Sequence, residues 1–304
     1  MIATRLLSLA LISFVCAFAQ AQDTDLDLPA DADQWQVMRK EWFSTLRKDL
    51  LGDRNKGKLG REAKLVFDAE HDGVALRALE FSTTGAKDQS SKASQLFIAG
   101  RADLQDFDLV VLNPLDEKGW NEFQATYRVG FEKQLASDDL PEPDAKSFGQ
   151  TAGMFHSFKW AMAYVRVPGS DDGSKVEEKQ QIADQVWAIR RAVQTLRSDG
   201  GMKDVALWMQ GTGTTSAATL LASVFEDDVT RLDLYNLPVD SSDESEKLLG
   251  SSIKMQQVVA LAAEKSRVVI YQDGKEHWEF VEALAEKLGW ENGLQLREIP
   301  KFDR

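Results

Sequence analysis

Cysteine is nearly absent from this sequence of 304 residues, and Cys16 is the only one. A single cysteine cannot close an internal disulfide, and this one lies in a leader that we expect to be removed. Histidine is also scarce, because the chain has only His71, His156 and His277, which are far apart. This spacing fits no common zinc site, whose ligands come in close pairs. We therefore expect no disulfide, no thiolate chemistry, no metal and no other cofactor.

Basic residues are also fewer than acidic residues. The 36 lysines and arginines face 49 aspartates and glutamates, which gives a formal net charge of −13 and an isoelectric point near 4.8. Such a chain is repelled by the phosphate backbone of nucleic acids and by anionic membranes. Hydrophobic residues make up 43% of the chain, which is enough for a substantial core at this length. We expect a globular protein with no nucleic-acid partner.

Residues 1–21 have the pattern of a secretory signal peptide. Arg5 precedes an apolar run over residues 6–19, and small residues suited to cleavage stand at its end, at Ala17, Ala19 and Ala21. The run is too short for a comfortable membrane-spanning helix. We therefore predict an exported protein, periplasmic or extracellular, with no membrane contact after cleavage.

The remaining chain divides into two parts. Residues 22–62 begin as an acidic lead-in and continue as a helix, since apolar residues recur at three- and four-residue intervals from Trp35 to Leu51. In residues 63–304, strand-like apolar runs alternate with helical segments. Strands are expected at residues 63–68, 74–81, 94–98, 108–114, 160–167, 205–210, 231–235, 267–271 and 294–299. Helices are expected at residues 115–130, 182–196, 254–263 and 279–288, and after Ser216. This alternation predicts an α/β domain, a doubly wound and mostly parallel sheet with antiparallel strands at its front.

Residues 205–225 are the most informative segment. A buried strand meets Gly211 and Gly213, and hydroxyl residues then lead into a helix of small apolar residues. A strand, a sharp glycine turn and a helix form the nucleophile elbow Gly-x-Ser-x-Gly, and also the phosphate-binding Gly-x-Gly-x-x-Gly. In the elbow register Met209-Gln-Gly-Thr-Gly213, Gly211 stands where the serine belongs. We expect Gly211 to adopt the positive φ of that position.

The order of elements from residue 63 onward resembles the acetyl xylan esterase and dienelactone-type hydrolases of the α/β-hydrolase superfamily. The resemblance is carried by residues 108–120 and 158–165, and by the helix with residues 187–191 that leads into the elbow strand. It implies a Ser–Asp–His triad and an oxyanion hole, and this chain departs from both. The degenerate elbow is Gly211, Thr212 and Gly213, and Asn113-Pro114 replaces the oxyanion-hole motif.

The other two members of the implied triad are also uncertain in this sequence. Asp273 stands where the resemblance places the acid, but an aspartate before Gly274 is also a common turn residue. His277 is a displaced base or a surface residue, because the histidine should follow the last strand and residues 300–304 contain none. The sequence therefore predicts a site that has lost most of its catalytic groups.

Three functional hypotheses follow. The first is an exported pseudo-hydrolase that binds a small acyl or carbohydrate ligand, or a protein partner, in a remnant pocket. The second is an active serine carboxylic or acetyl ester hydrolase with a non-standard nucleophile. The third is a nucleotide- or anion-binding module, with phosphate at residues 211–216 and Asp233 near the ribose.

Six of the eight tryptophans divide into two groups by their sequence surroundings. Three sit within apolar patterns and are expected in the core, namely Trp160, Trp187 and Trp208. Three lie near strand ends or loops and are candidates for a binding surface, namely Trp120, Trp278 and Trp290.

Overall fold

A computed structural model describes residues 26–52, 63–82, 93–135, 140–169, 178–239, 249, 252–274 and 277–300. The predicted signal peptide, residues 1–21, lies outside this range. Among the described residues, no helix is both long enough and apolar enough to span a membrane.

A nine-stranded sheet forms the centre of the molecule, with strand order β1-β2-β3-β5-β4-β6-β7-β8-β9. The strands are β1 (Lys64–His71), β2 (Val74–Ser82), β3 (Ala93–Arg101), β4 (Leu109–Leu115), β5 (Trp160–Arg166), β6 (Ala206–Thr212), β7 (Val229–Tyr235), β8 (Arg267–Tyr271) and β9 (Leu294–Arg297). From β5 to β9 the neighbours are all parallel, whereas β1, β2 and β3 join the sheet antiparallel. The predicted fold class is confirmed.

The first two strands form a hairpin whose turn is readable from the sequence. Asp72 and Gly73 have φ angles of +48° and +75°. An Asp-Gly pair with both residues at positive φ matches the right-handed twist of the strands that it joins. The predicted turn at residues 71–73 therefore sets the register in which His71 pairs with Val74.

Helices cover the sheet in two layers. They are α1 (Ala32–Leu51), α2 (Glu117–Leu135), α3 (Ala145–Ser157), α4 (Glu178–Ser198), α5 (Thr214–Val224), α6 (Met255–Ala263) and α7 (Glu279–Leu288). One layer holds α1, α4, α5, α6 and α7, which pack on one another, and α2 packs on α3 against β1, β3, β4 and β5. The alternation of β3 separates the two cores, because Leu96 and Ile98 belong to the larger cluster and Phe97 and Ala99 to the smaller.

Two details of the sequence prediction need correction. Pro114 does not end its strand, because it lies within β4 and pairs with Val165. The ladder between β4 and β6 stops at Leu112, so a missing N–H near the end of β4 is tolerated. Helix α3 was not predicted at all; Asp144 caps it by accepting a 3.0 Å hydrogen bond from the Ser147 N–H.

Candidate functional site

The bend between β6 and α5 is the candidate site, and Gly213 forms it. Strand β6 runs through Gly211 to Thr212, and Gly211 pairs with Leu234 of β7. Gly213 then adopts φ 57° and ψ −123° and precedes the first residue of α5, Thr214. The prediction that Gly211 occupies the nucleophile position is therefore wrong. The elbow register is two residues later, and the glycine at the bend is Gly213.

Gly211 is needed for a different reason, which is close packing. A Cβ atom at this position would lie 2.7 Å from the Ser216 Cα and 2.7 Å from the Thr219 Oγ1. A Cβ at Gly213 would instead meet nothing within 4 Å. The first glycine thus lets strand and helix approach each other, and the second provides the positive φ in open space.

The hydroxyl groups around the bend are divided between structure and solvent. Thr215 Oγ1 accepts a 3.0 Å hydrogen bond from the Thr212 N–H and lies 3.1 Å from the Thr212 carbonyl. Ser216 is fully buried, and its hydroxyl donates to the Gly213 carbonyl at 2.8 Å. Only Thr212 and Thr214 are exposed. The buried pair holds the turn and is not available to a ligand.

Asp116, which follows β4, is a site residue that the sequence reasoning missed. Its Oδ1 accepts a 2.8 Å hydrogen bond from the Gly119 N–H and so caps α2. Its Oδ2 lies 3.3 Å from the Thr214 Oγ1 at the start of α5. The carboxylate therefore brings negative charge to the helix start, which disfavours an anionic ligand there. No local signal reveals this pairing, because the two residues are far apart in sequence.

The predicted acid and base lie on the segment after β8. Asp273 is exposed, beside Gly274 with φ +87°. His277 is also exposed and has φ +83°. Its backbone N–H donates a hydrogen bond to Glu279 Oε1 at 3.3 Å. Within the described part of the chain, no hydrogen bond or ion pair joins Asp273 or His277 to Gly213 or Thr214. The structure thus does not assemble these residues into a triad.

Asp233, the proposed ribose ligand, is not at a strand end. It lies inside β7 opposite Gln210, is buried, and forms a 2.7 Å ion pair with Arg231. A carboxylate held in this way is not free to bind a sugar hydroxyl beyond the sheet. The geometry gives the nucleotide hypothesis no support.

The tryptophan predictions need several corrections. Trp278 is fully buried, and its Nε1 donates to the Gln272 Oε1 at 3.0 Å, so it is a core residue. Trp160, Trp187 and Trp208, expected in the core, are only half-buried. Trp160 and Trp208 lie on strands β5 and β6 and Trp187 lies on α4, and the apolar pattern around the three residues did not show that their side chains stay partly exposed.

The other two surface candidates make close aromatic contacts. Trp120 is half-buried and stacks on Phe123 with a centroid distance of 5.1 Å. The Trp290 ring meets Trp35 of α1 at 5.2 Å and also lines an open cavity of about 340 Å³. Both rings thus have structural contacts, and Trp290 also borders a cavity.

A larger cavity, of about 520 Å³, lies at the opposite edge of the sheet. It is lined by parts of β1, β2 and β3, by the segment between β3 and β4 from Ala102 to Phe107, and by residues 200–202, which precede β6. The amino ends of β4 and β6 are therefore nearby, whereas Gly213 follows the carboxyl end of β6. This cavity is not a remnant of an elbow pocket. The described residues also contain no cluster of three or more potential metal ligands.

Comparison of the structure with solved proteins identifies the fold. The sequence matches no family model and no curated protein. A protein from Bacteroides fragilis NCTC 9343 assigned as an acetyl xylan esterase superposes with a TM-score of 0.64 at 9% identity, over 91% of this chain and 77% of the other.

Two glucuronoyl esterases have the same architecture. The protein from Solibacter usitatus gives a TM-score of 0.55 at 12% identity, over 89% of each chain. The CE15 enzyme from Teredinibacter turnerae T7901 gives 0.53 at 11% identity, over 90% of this chain and 82% of the other. The fold is therefore of the α/β-hydrolase type, as the resemblance predicted, and at these identities the likeness concerns the fold alone.

Proposed function

We propose that this chain is an exported, non-catalytic protein with an α/β-hydrolase fold. The observation that carries the proposal is the glycine at the bend. Gly213 has the backbone geometry of the elbow residue but no side chain, so no nucleophile stands at the position that the fold presents.

The surroundings of Gly213 support the same conclusion. An oxyanion hole needs donors aimed at the developing negative charge. Here the Asp116 carboxylate lies 3.3 Å from the Thr214 hydroxyl and would repel that charge. Residues 298–304, which follow β9, contain no histidine, and His277 is exposed on the segment before α7. Nucleophile, base and oxyanion stabilisation are thus all unsupported.

A binding role accounts for the retained fold. Export follows from the pattern of residues 1–21, and the partner is a small acyl or carbohydrate ligand or another protein. The competing function is an active ester hydrolase with a non-standard nucleophile, for which the exposed Thr212 and Thr214 hydroxyls are the available groups.

An esterase assay of the mature protein separates these functions. With p-nitrophenyl acetate we expect no turnover above the buffer blank, and none in Gly213→Ser, because a serine without a base stays a weak nucleophile. Gly149→Ser, on an exposed position of α3, is the matched control. Turnover by the wild type that disappears with a serine-directed phosphonate, or in Thr214→Val, would establish the competing function.

A further inference from the structure

The face of β7, β8 and β9 that points away from α5, α6 and α7 carries an unusual set of side chains. In-register residues share a face, which places Arg231 beside Arg267, and Tyr235 beside Tyr271. The same pairing places Tyr271 beside Arg297. The helices in extensive contact with β7–β9 are α5, α6 and α7, all in the other layer, so no described helix packs extensively on this face.

Two of the arginines are not neutralised by any described carboxylate. Arg267 Nη2 donates to the Gln295 Oε1 at 2.7 Å, and Arg297 Nη2 donates to the same oxygen at 3.0 Å. One neutral amide oxygen therefore lies between two guanidinium groups. The Nε of Arg267 is also buried without a hydrogen-bond partner in the described structure. Arg267 is half-buried and Arg297 is exposed, so solvent screens part of their repulsion, and a bound carboxylate would supply the counter-charge that the described residues lack.

Arg231 differs, because it already has a partner. It forms its 2.7 Å ion pair with Asp233 and lies over the Trp208 ring, 4.4 Å from the centroid. The excess positive charge on this face is therefore concentrated at Arg267 and Arg297, in a chain whose net charge is −13.

Aromatic rings lie next to the two cations. Tyr235 and Tyr271 stack with a centroid distance of 4.3 Å and an interplanar angle of 7°, and Arg297 Nη1 donates to the Tyr271 hydroxyl at 3.4 Å. Burial, together with the nearby Tyr271 and Asp233, raises the pKa of Tyr235 to about 12. Rings with a polar tip suit a ligand that has both apolar and hydroxylated surfaces.

We infer that this face binds a short acidic saccharide, with a carboxylate of the sugar between Arg267 and Arg297 and a sugar ring against Tyr235. A guanidinium group pairs with a carboxylate in two-point geometry. The ligand is short because the strong negative charge of the whole protein repels a long polyanion. The inference rests on the non-catalytic binding role proposed above and names its ligand class.

The test is titration calorimetry of the mature protein with a galacturonate trisaccharide and with its neutral galactose counterpart. We expect the acidic sugar alone to bind, more weakly as salt is raised, and the double variant Arg267→Gln/Arg297→Gln to weaken binding at least tenfold. Arg77→Gln on β2 is the control, because this arginine is paired with Asp68 and should leave the affinity unchanged. Circular dichroism melting of each variant establishes that the fold is intact.

Several results would overturn the inference. Equal affinity for the neutral sugar would show that the face does not recognise the carboxylate. Binding of inorganic sulfate as tight as that of the trisaccharide would indicate an adventitious ion only. Tighter arginine-dependent binding of a hexaglutamate peptide would assign the face to a protein partner. If the protein has no esterase activity and binds no sugar, the saccharide inference is wrong and the non-catalytic function stands. If the protein has esterase activity and still binds the sugar through its arginines, only the non-catalytic function is wrong.

Discussion

At the scale of single residues, Gly211 and Gly213 illustrate two separate reasons for glycine in one short motif. Gly211 has helix α5 against it, with the Ser216 Cα and the Thr219 Oγ1 where a side chain would begin. Gly213 has open space but φ +57°, a conformation that residues with a Cβ rarely adopt. Each glycine therefore excludes a side chain, one through contact and the other through backbone strain.

Substituting the two glycines tests these explanations. We expect Gly211→Ala to lower the free energy of unfolding by about 1–3 kcal/mol through overpacking, and Gly213→Ala by about 1–3 kcal/mol through strain. Because the strain at Gly213 does not depend on side-chain size, Gly213→Ser should lose as much as Gly213→Ala. Denaturant midpoints give these values.

The control is Gly149, which lies on α3 with nothing near its Cβ position. Gly149→Ala should stabilise the protein by about 0.5–1 kcal/mol, because alanine favours a helix interior over glycine. A Gly213→Ala variant as stable as the wild type would contradict the assignment of the bend to this residue.

At the scale of elements, an ion pair joins α4 to the segment after α5. Arg190 Nε lies 2.6 Å from Glu226 Oε1, and both side chains are nearly buried, with 12% and 13% of their surfaces exposed. Burial raises the pKa of Glu226, and Arg190 opposes that rise. Loss of Arg190 would therefore leave a largely buried carboxylate with only the more distant Lys265 to offset its charge.

Replacing Arg190 with methionine should destabilise the protein in a pH-dependent way. The folded state binds a proton at Glu226 more tightly than the unfolded chain does, so stability from this group is retained at low pH and lost as pH rises through the raised pKa. Without Arg190 that pKa rises further. We expect a loss of about 3–5 kcal/mol near neutral pH and a clearly smaller loss at about pH 4.

Chemical denaturation at the two pH values measures this effect. Arg77→Met is the control, since the Arg77–Asp68 pair is more than 40% exposed on both sides and should contribute under about 1 kcal/mol. An Arg190→Met loss that is the same at both pH values would mean that packing against Trp187 and Phe225, not charge, dominates.

At the scale of the whole molecule, α1 attaches the N-terminal part of the described chain to the larger core. Trp35 is 2% exposed, and its Nε1 donates to Glu264 Oε1 at 3.1 Å. We expect Trp35→Ala to lower the free energy of unfolding by about 3–5 kcal/mol. Val37→Ala, at a position that is 65% exposed, should change it by less than about 0.5 kcal/mol. A small effect of Trp35→Ala in denaturant unfolding would show that α1 folds apart from the sheet.

The proposed export concerns the whole chain and is tested by the mass of the mature protein. We predict a mature N-terminus at Gln20 or Gln22, which follow the two cleavage sites suggested by the small residues. Mass spectrometry of protein recovered from the periplasm and medium of a Gram-negative host decides this. An uncleaved N-terminus, or a lipid on Cys16, would overturn the prediction.

The order of the strands, and of the described helices other than α3, was determined by the sequence itself, because hydrophobic period and turn residues are local signals. These signals located the sheet strands, the Asp72-Gly73 turn and the glycine bend to within a few residues. The fold class followed from their alternation along the chain.

Only the tertiary structure decided which glycine forms the bend and what surrounds it. The ladder between β6 and β7 extends to Thr212, opposite Tyr235, and this pairing with a distant strand keeps Gly211 extended and moves the positive φ to Gly213. The Asp116–Thr214 contact joins residues 98 positions apart, and Gln295 brings Arg267 and Arg297 together from neighbouring strands. Such contacts depend on strand pairing across the sheet, which a local sequence pattern does not encode.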